Sequence, residues 1–152
     1  MGAIRLFNIE YHFVWVTKYR YKVLTGDVAV RVRELVRQIC EIFEIRIITG
    51  VVSKDHVHLL VSAPLTGMAY FLLGSILGLS ISASEIMRRI KGKTSIRLFE
   101  EFPSLKKRYW GQHFWARGYF CATAGQVTEE MIKTYLEHHF EPAPDDNFRT
   151  ES

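Results

Sequence analysis

The segment "YHFVWVTK", Tyr11 to Lys18, alternates aromatic and β-branched residues and predicts a strand. Tyr11, Phe13 and Trp15 fall on one face; His12, Val14 and Val16 fall on the other. Past Gly26-Asp27, the residues Val28, Val32, Leu35, Val36, Ile39, Cys40 and Phe43 recur at helical spacing between arginines and glutamates. They predict an amphipathic helix of roughly 16 residues with Asp27 near its cap. Ile45 to Val52, "IRIITGVV", reads as a second strand, and the polar turn Ser53-Lys54-Asp55 leads from it into a third as a hairpin. The third strand opens with "HVHLLVSA". Its core face carries Val57, Leu59 and Val61, and its other face begins with His56 and His58. A helix from about Ser82 to Arg97 has Ile86 and Ile90 as apolar positions. "FWARGYFCAT", Phe114 to Thr123, reads as a fourth strand, and a last helix runs from about Thr128 to Phe140, with Glu129 and Glu130 suited to its first turn.

The order β-α-β-β-α-β predicts an α+β fold of the ferredoxin-like, RRM-like kind. Two helices cover one face of a four-stranded antiparallel sheet, and the C-terminal helix, which bears Tyr135, can cover the other. The 152 residues suit one domain, expected over 1–141, followed by a polar, proline-containing tail over 142–152 that is expected to be mobile. With 48% hydrophobic and 13% aromatic residues the chain can build a core, which excludes a disordered class. Cys40 and Cys121 make no disulfide framework, and "MGAIRLFNIEYHF" shows no secretion signal, so a reducing cytoplasm is expected. No charge occurs between Leu59 and Ser84, and Met68 to Ile81 is very apolar. Roughly 14 residues fall short of the ~20 a membrane span needs. An apolar insertion near 66–80, forming a buried helix or an oligomer contact, is expected instead, with no membrane partner.

Charge adds a candidate partner. The net charge of +4 is gathered in one block, where Arg88, Arg89, Lys91, Lys93, Arg97, Lys106, Lys107 and Arg108 face only Glu100 and Glu101. That block suits a polyanion, or else it is a solvated helix face.

The chemistry is carried by His56, His58, Tyr135 and His139. His56 and His58 are two apart on a strand and share a face; Tyr135 and His139 are four apart on a helix and also share one. Imidazoles with open positions beside them can hold a divalent cation, and such a cation neutralises charge developing at a phosphate in an in-line displacement. A phenol that a cation or base helps to ionise can then attack a phosphodiester. Each residue also has an ordinary reading: an incidental strand histidine, a core tyrosine, a helix-end imidazole on the macrodipole.

The segments "DHVHLLVS", "EIMRRIKGKTSIRLF", "YWGQHFWARGYFCATAG" and "EEMIKTYLEHH", in that order from about Tyr11 to Phe140, resemble the single-tyrosine HUH transposases, relatives of the REP-associated tyrosine transposases. These small enzymes move insertion sequences as single-stranded DNA. The resemblance implies that His56 and His58 bind Mg²⁺ or Mn²⁺ and that Tyr135 is the nucleophile. It implies cutting and rejoining of single-stranded DNA through a 5′-phosphotyrosine, recognition of hairpins at element ends, and a homodimer whose active sites can be composite. His139 stands where the family often has a glutamine ligand, and His138 is its rival, about 100° away on the helix. The competing readings are a non-catalytic nucleic-acid-binding module of RRM-like fold, using the sheet and the basic block, and a membrane-associated protein.

Overall fold

The computed structural model describes residues 5–66, 83–125 and 129–140, with side-chain environments given for 10–63, 83–125 and 129–138. Strand β1 (Arg5–Val16) is followed by helix α1 (Gly26–Ile42), strands β2 (Arg46–Val52) and β3 (His56–Thr66), and helix α2 (Ala83–Glu101). A short helix α3 (Pro103–Arg108), strand β4 (Phe120–Thr123) and helix α4 (Glu129–Phe140) complete the described elements. The sheet order is β2-β3-β1-β4 and every pairing is antiparallel. That is the ferredoxin-like arrangement expected from the element order.

The core lies between one sheet face and α1 with α2. Phe13, Trp15, Val57, Leu59 and Val61 come from the sheet, Val32, Leu35 and Ile39 from α1, and Ile86, Met87, Ile90 and Leu98 from α2. The alternation along β1 holds: Val14 and Val16 are also buried, but outside that cluster, on the opposite face. Helix α4 packs near that face, against β1 and the turn that follows it.

Three boundaries differ from expectation. β1 begins at Arg5, six residues before the expected Tyr11, and pairs with β3 as far as Thr66. The fourth strand is only Phe120–Thr123. Phe114 and Trp115 are both buried although adjacent, so the segment before β4 cannot follow the alternation of a half-buried strand. Lys18 N–H instead donates to the Phe114 carbonyl and Ala116 N–H to that of Val16, and the Trp115 indole N–H donates to Thr94 Oγ1 on α2 at 2.8 Å. Finally, α2 runs past Arg97 to Glu101 because Leu98 continues its buried stripe, and Pro103 then opens α3. Thr25, not Asp27, is the cap residue of α1, and Asp27 sits in the first turn. The apolar run Met68 to Ile81 and the tail 142–152 lie outside the described residues, and no described helix is long and apolar enough to cross a membrane.

Candidate active site

The outer sheet face is built level by level from the strand register. Val16 pairs with His56, Val14 with His58, and His12 with Leu60. Phe120 of β4 pairs with Val14 from the other side. Both expected histidines therefore stand on the face away from the core, separated by one pleat. The Tyr135 ring lies 5.8 Å, centroid to centroid, from that of Phe120. The α4 tyrosine and the β3 imidazoles thus share one side of the sheet, two strands apart, a lateral distance of ~10 Å.

A buried network links them. Asp55, just before β3, accepts a hydrogen bond from His56 Nδ1 at 2.9 Å. Its other oxygen accepts from Arg20 Nε at 3.0 Å, and Arg20 Nη1 reaches the Leu136 carbonyl, next to Tyr135, at 2.7 Å. Arg20 is 4% exposed and Asp55 6%. The guanidinium is aimed by an uncommon backbone: Tyr19 and Arg20 have φ of 62° and 55°, in the left-handed region that bulky residues avoid. Thr17 holds this turn in place. Its N–H donates to the Asp55 carbonyl, its Oγ1 donates to that of Tyr21 at 2.8 Å, and its own carbonyl accepts from Arg20 N–H.

These surroundings bias the ionisable groups. Burial pushes the Asp55 carboxyl up, but the hydrogen bond from His56 and the adjacent Arg20 charge outweigh it, so Asp55 titrates below the ordinary carboxylate value. Burial, then the neighbouring His12 and His56, lower the pKa of His58 and favour its neutral form. Burial pushes the Tyr135 phenol up to about 12, with Arg20 pulling the other way.

His56 and His58 supply imidazole donors of the kind a divalent cation takes. Asp55 occupies Nδ1 of His56, so Nε2 is left for a metal, the arrangement of a carboxylate orienting a ligating imidazole. Among the described residues no three ligand-type side chains gather closely enough to hold a metal ion. His139 lies on α4 one turn beyond Tyr135, but its side chain is outside the described residues. His138 is exposed and turned onto its own helix, Nδ1 lying 3.1 Å from the Thr134 carbonyl. Met131, one turn before Tyr135, is exposed.

The basic block divides. The Lys91 ammonium donates to the Ala116 and Gly118 carbonyls, both at 2.8 Å, where burial lowers its pKa. Arg88 and Arg89 both reach Glu85, which precedes the block, and Arg108 stacks over Tyr21 at 4.1 Å. Lys93, Arg97, Lys106 and Lys107 are exposed. All eight sit on α2 and α3, on the core side of the sheet, so the block does not surround the histidines.

Three residues of the network were not anticipated as site residues: His12, Asp55 and Arg20. His12 was placed on the correct face, but only the register brings it to His58. Asp55 read as a turn residue, and nothing local marks Arg20.

Comparison with known proteins extends the picture. Residues 5–139 match the family model "Transposase IS200 like". The transposase of insertion sequence IS200 from Salmonella typhimurium is 33% identical over 134 residues, covering 88% of this chain and 78% of its own. The ISDra2 transposase TnpA of Deinococcus radiodurans is 32% identical over 137 residues, covering 90% and 87%. A solved structure from Deinococcus radiodurans R1, itself assigned as a transposase, is 28% identical with a TM-score of 0.68 over 91% of this chain and 96% of that one. The structure of a REP-associated tyrosine transposase bound to a REP hairpin shares the fold, at 13% identity and a TM-score of 0.51 over 92% and 71%.

Proposed function

The chain belongs to the IS200-like transposase family, and we propose that it cuts and rejoins single-stranded DNA with Tyr135 as the covalent nucleophile. What supports this reading is that Tyr135 and the histidine pair face the same side of the sheet and are joined through Arg20 and Asp55.

The Tyr135 hydroxyl oxygen attacks the phosphorus of one phosphodiester, the bond to the 3′-oxygen breaks, and that oxygen leaves as a 3′-hydroxyl. The phenolic proton passes to solvent, and the 5′-phosphate stays on the tyrosine. In the reverse step a 3′-hydroxyl attacks that phosphotyrosine and releases the phenol. Held by His56, His58 and the α4 residue His139, Mg²⁺ or Mn²⁺ would supply charge neutralisation at the phosphate. Asp55 keeps His56 presented through Nε2, and Arg20 lowers the cost of ionising a phenol whose burial otherwise opposes it. The exposed Lys93, Arg97, Lys106 and Lys107 would hold flanking phosphates in a salt-dependent way. A homodimer is also part of the proposal. The cis contact between Arg20 and Leu136 supports a site built within one chain.

The test is incubation of the protein with Mn²⁺ and a single-stranded DNA hairpin, the class of DNA bound by its fold relative, followed by a denaturing gel. A protein–DNA adduct is expected, absent in Tyr135→Phe and in EDTA. An adduct that persists in Tyr135→Phe removes the tyrosine from its role. Hairpin binding that survives EDTA with no adduct under Mg²⁺ or Mn²⁺ would support a non-catalytic module.

A further inference from the structure

His12 has no part in the reaction described above. Because Val16, Val14 and His12 of β1 face His56, His58 and Leu60 of β3, the three histidines occupy successive levels of one sheet face. His58 is in the middle, and His12 lies beyond it, on the side away from His56. Nδ1 of His12 is 2.9 Å from Nε2 of His58, with the rings tilted by 40° and their centroids 5.1 Å apart.

Between two neutral imidazoles at this distance only one nitrogen carries the proton. A proton on His12 Nδ1 would take the Nε2 lone pair of His58 and leave that ring with its own proton on Nδ1, unable to ligate anything. A proton on His58 Nε2, accepted by His12, leaves the Nδ1 lone pair of His58 for a cation. Asp55 does the equivalent at the other end of the pair, accepting from His56 and leaving Nε2.

We propose that His12 is a positioning residue, a hydrogen-bond acceptor that holds His58 in its Nε2–H tautomer and presents Nδ1 to the divalent cation. The proposal rests on the metal reading of the histidine pair. It differs from a third-ligand role, since His12 stands behind His58 and no three ligand-type residues gather among the described ones. Acceptors behind ligating imidazoles fix ring and tautomer, and losing one weakens metal binding ~10–100-fold.

Two measurements test it on the full chain. Long-range ¹H–¹⁵N spectra of the metal-free protein report the tautomer of each histidine. His58 is expected as Nε2–H in wild type and in His12→Asn, whose amide oxygen can accept from nearly the same place, and as a tautomer mixture in His12→Leu. Calorimetric Mn²⁺ titration is expected to show ~10–100-fold weaker binding in His12→Leu and a change of a few-fold at most in His12→Asn. His58 found as Nδ1–H in wild type overturns the proposal, as does equal loss in the Asn and Leu variants, which would make the role one of shape. Unchanged Mn²⁺ affinity in a His56→Ala, His58→Ala double variant overturns the metal reading and this proposal with it. A loss there, beside unchanged affinity in His12→Leu, overturns the His12 role alone.

Discussion

Replacing Arg20 by leucine would test the network that joins the two halves of the site. The guanidinium contacts Asp55 through Nε and Nη2, both at 3.0 Å, and the Leu136 carbonyl through Nη1 at 2.7 Å. Its side chain is 5% exposed and that of Asp55 9%, so the pair has little water to fall back on. Removing one partner of such a buried pair costs ~3–5 kcal/mol, because the remaining charge is left uncompensated. Asp55 keeps its hydrogen bond from His56, which places the expected loss at the lower end, about 3 kcal/mol. Leucine would inherit the left-handed backbone at position 20 and relieve none of its strain. At ~2–4 °C per kcal/mol for a domain of this size, Tm should fall by about 6–12 °C. Urea denaturation at pH 7 measures the loss directly.

The sign of its pH dependence follows from Asp55. Its folded pKa is depressed, so its contribution is present above the unfolded value of ~3.9 and is lost as pH falls through the folded one. Without Arg20 that contribution shrinks. The gap between wild type and Arg20→Leu should therefore narrow below pH ~4. A double-mutant cycle with Asp55→Asn should return a coupling of ~2 kcal/mol or more. A loss at pH 7 below ~1 kcal/mol, the size of an exposed ion pair, would mean that Arg20 and Asp55 do not behave as a buried pair. Because α4 is anchored through Leu136, the adduct yield should also fall, by ~10²-fold if Tyr135 shifts by an ångström.

Three further outcomes separate structure from DNA contact and test the phenol. Lys91→Met should lose ~1–3 kcal/mol in urea unfolding, since two carbonyls lose their donor, while leaving the salt dependence of DNA binding unchanged. Lys106→Ala with Lys107→Ala should leave stability intact and lower the slope of log K against log salt by about 1.4 on single-stranded DNA, and an unchanged slope would remove α3 from the interface. For Tyr135, a folded pKa of about 12 against an unfolded value near ~10 means that its share of stability is complete below pH ~10 and lost as pH rises toward 12. Tyr135→Phe should flatten that part of the alkaline unfolding curve, and a curve identical to wild type would contradict the burial of the hydroxyl.

The alternating and helical periods of the chain by themselves determined the element order, the core face of each strand and the side on which His56 and His58 stand, because side-chain direction follows directly from backbone period. They also determined that Tyr135 rides a separate terminal helix, and the basic composition of α2 and α3 was plain. Composition could not say which cations are already spent: Lys91 is pinned to two carbonyls and Arg88 and Arg89 lean on Glu85, contacts that depend on where the chain returns in space. Nor could spacing reveal His12, Asp55 and Arg20 as site residues. His12 meets His58 only through the register of β1 on β3, 46 positions apart, and Arg20 meets Leu136 across 116 positions. Local pattern reports which face a residue occupies. Which residues become neighbours on that face is settled by strand pairing and by the docking of α4, and those are properties of the folded chain alone.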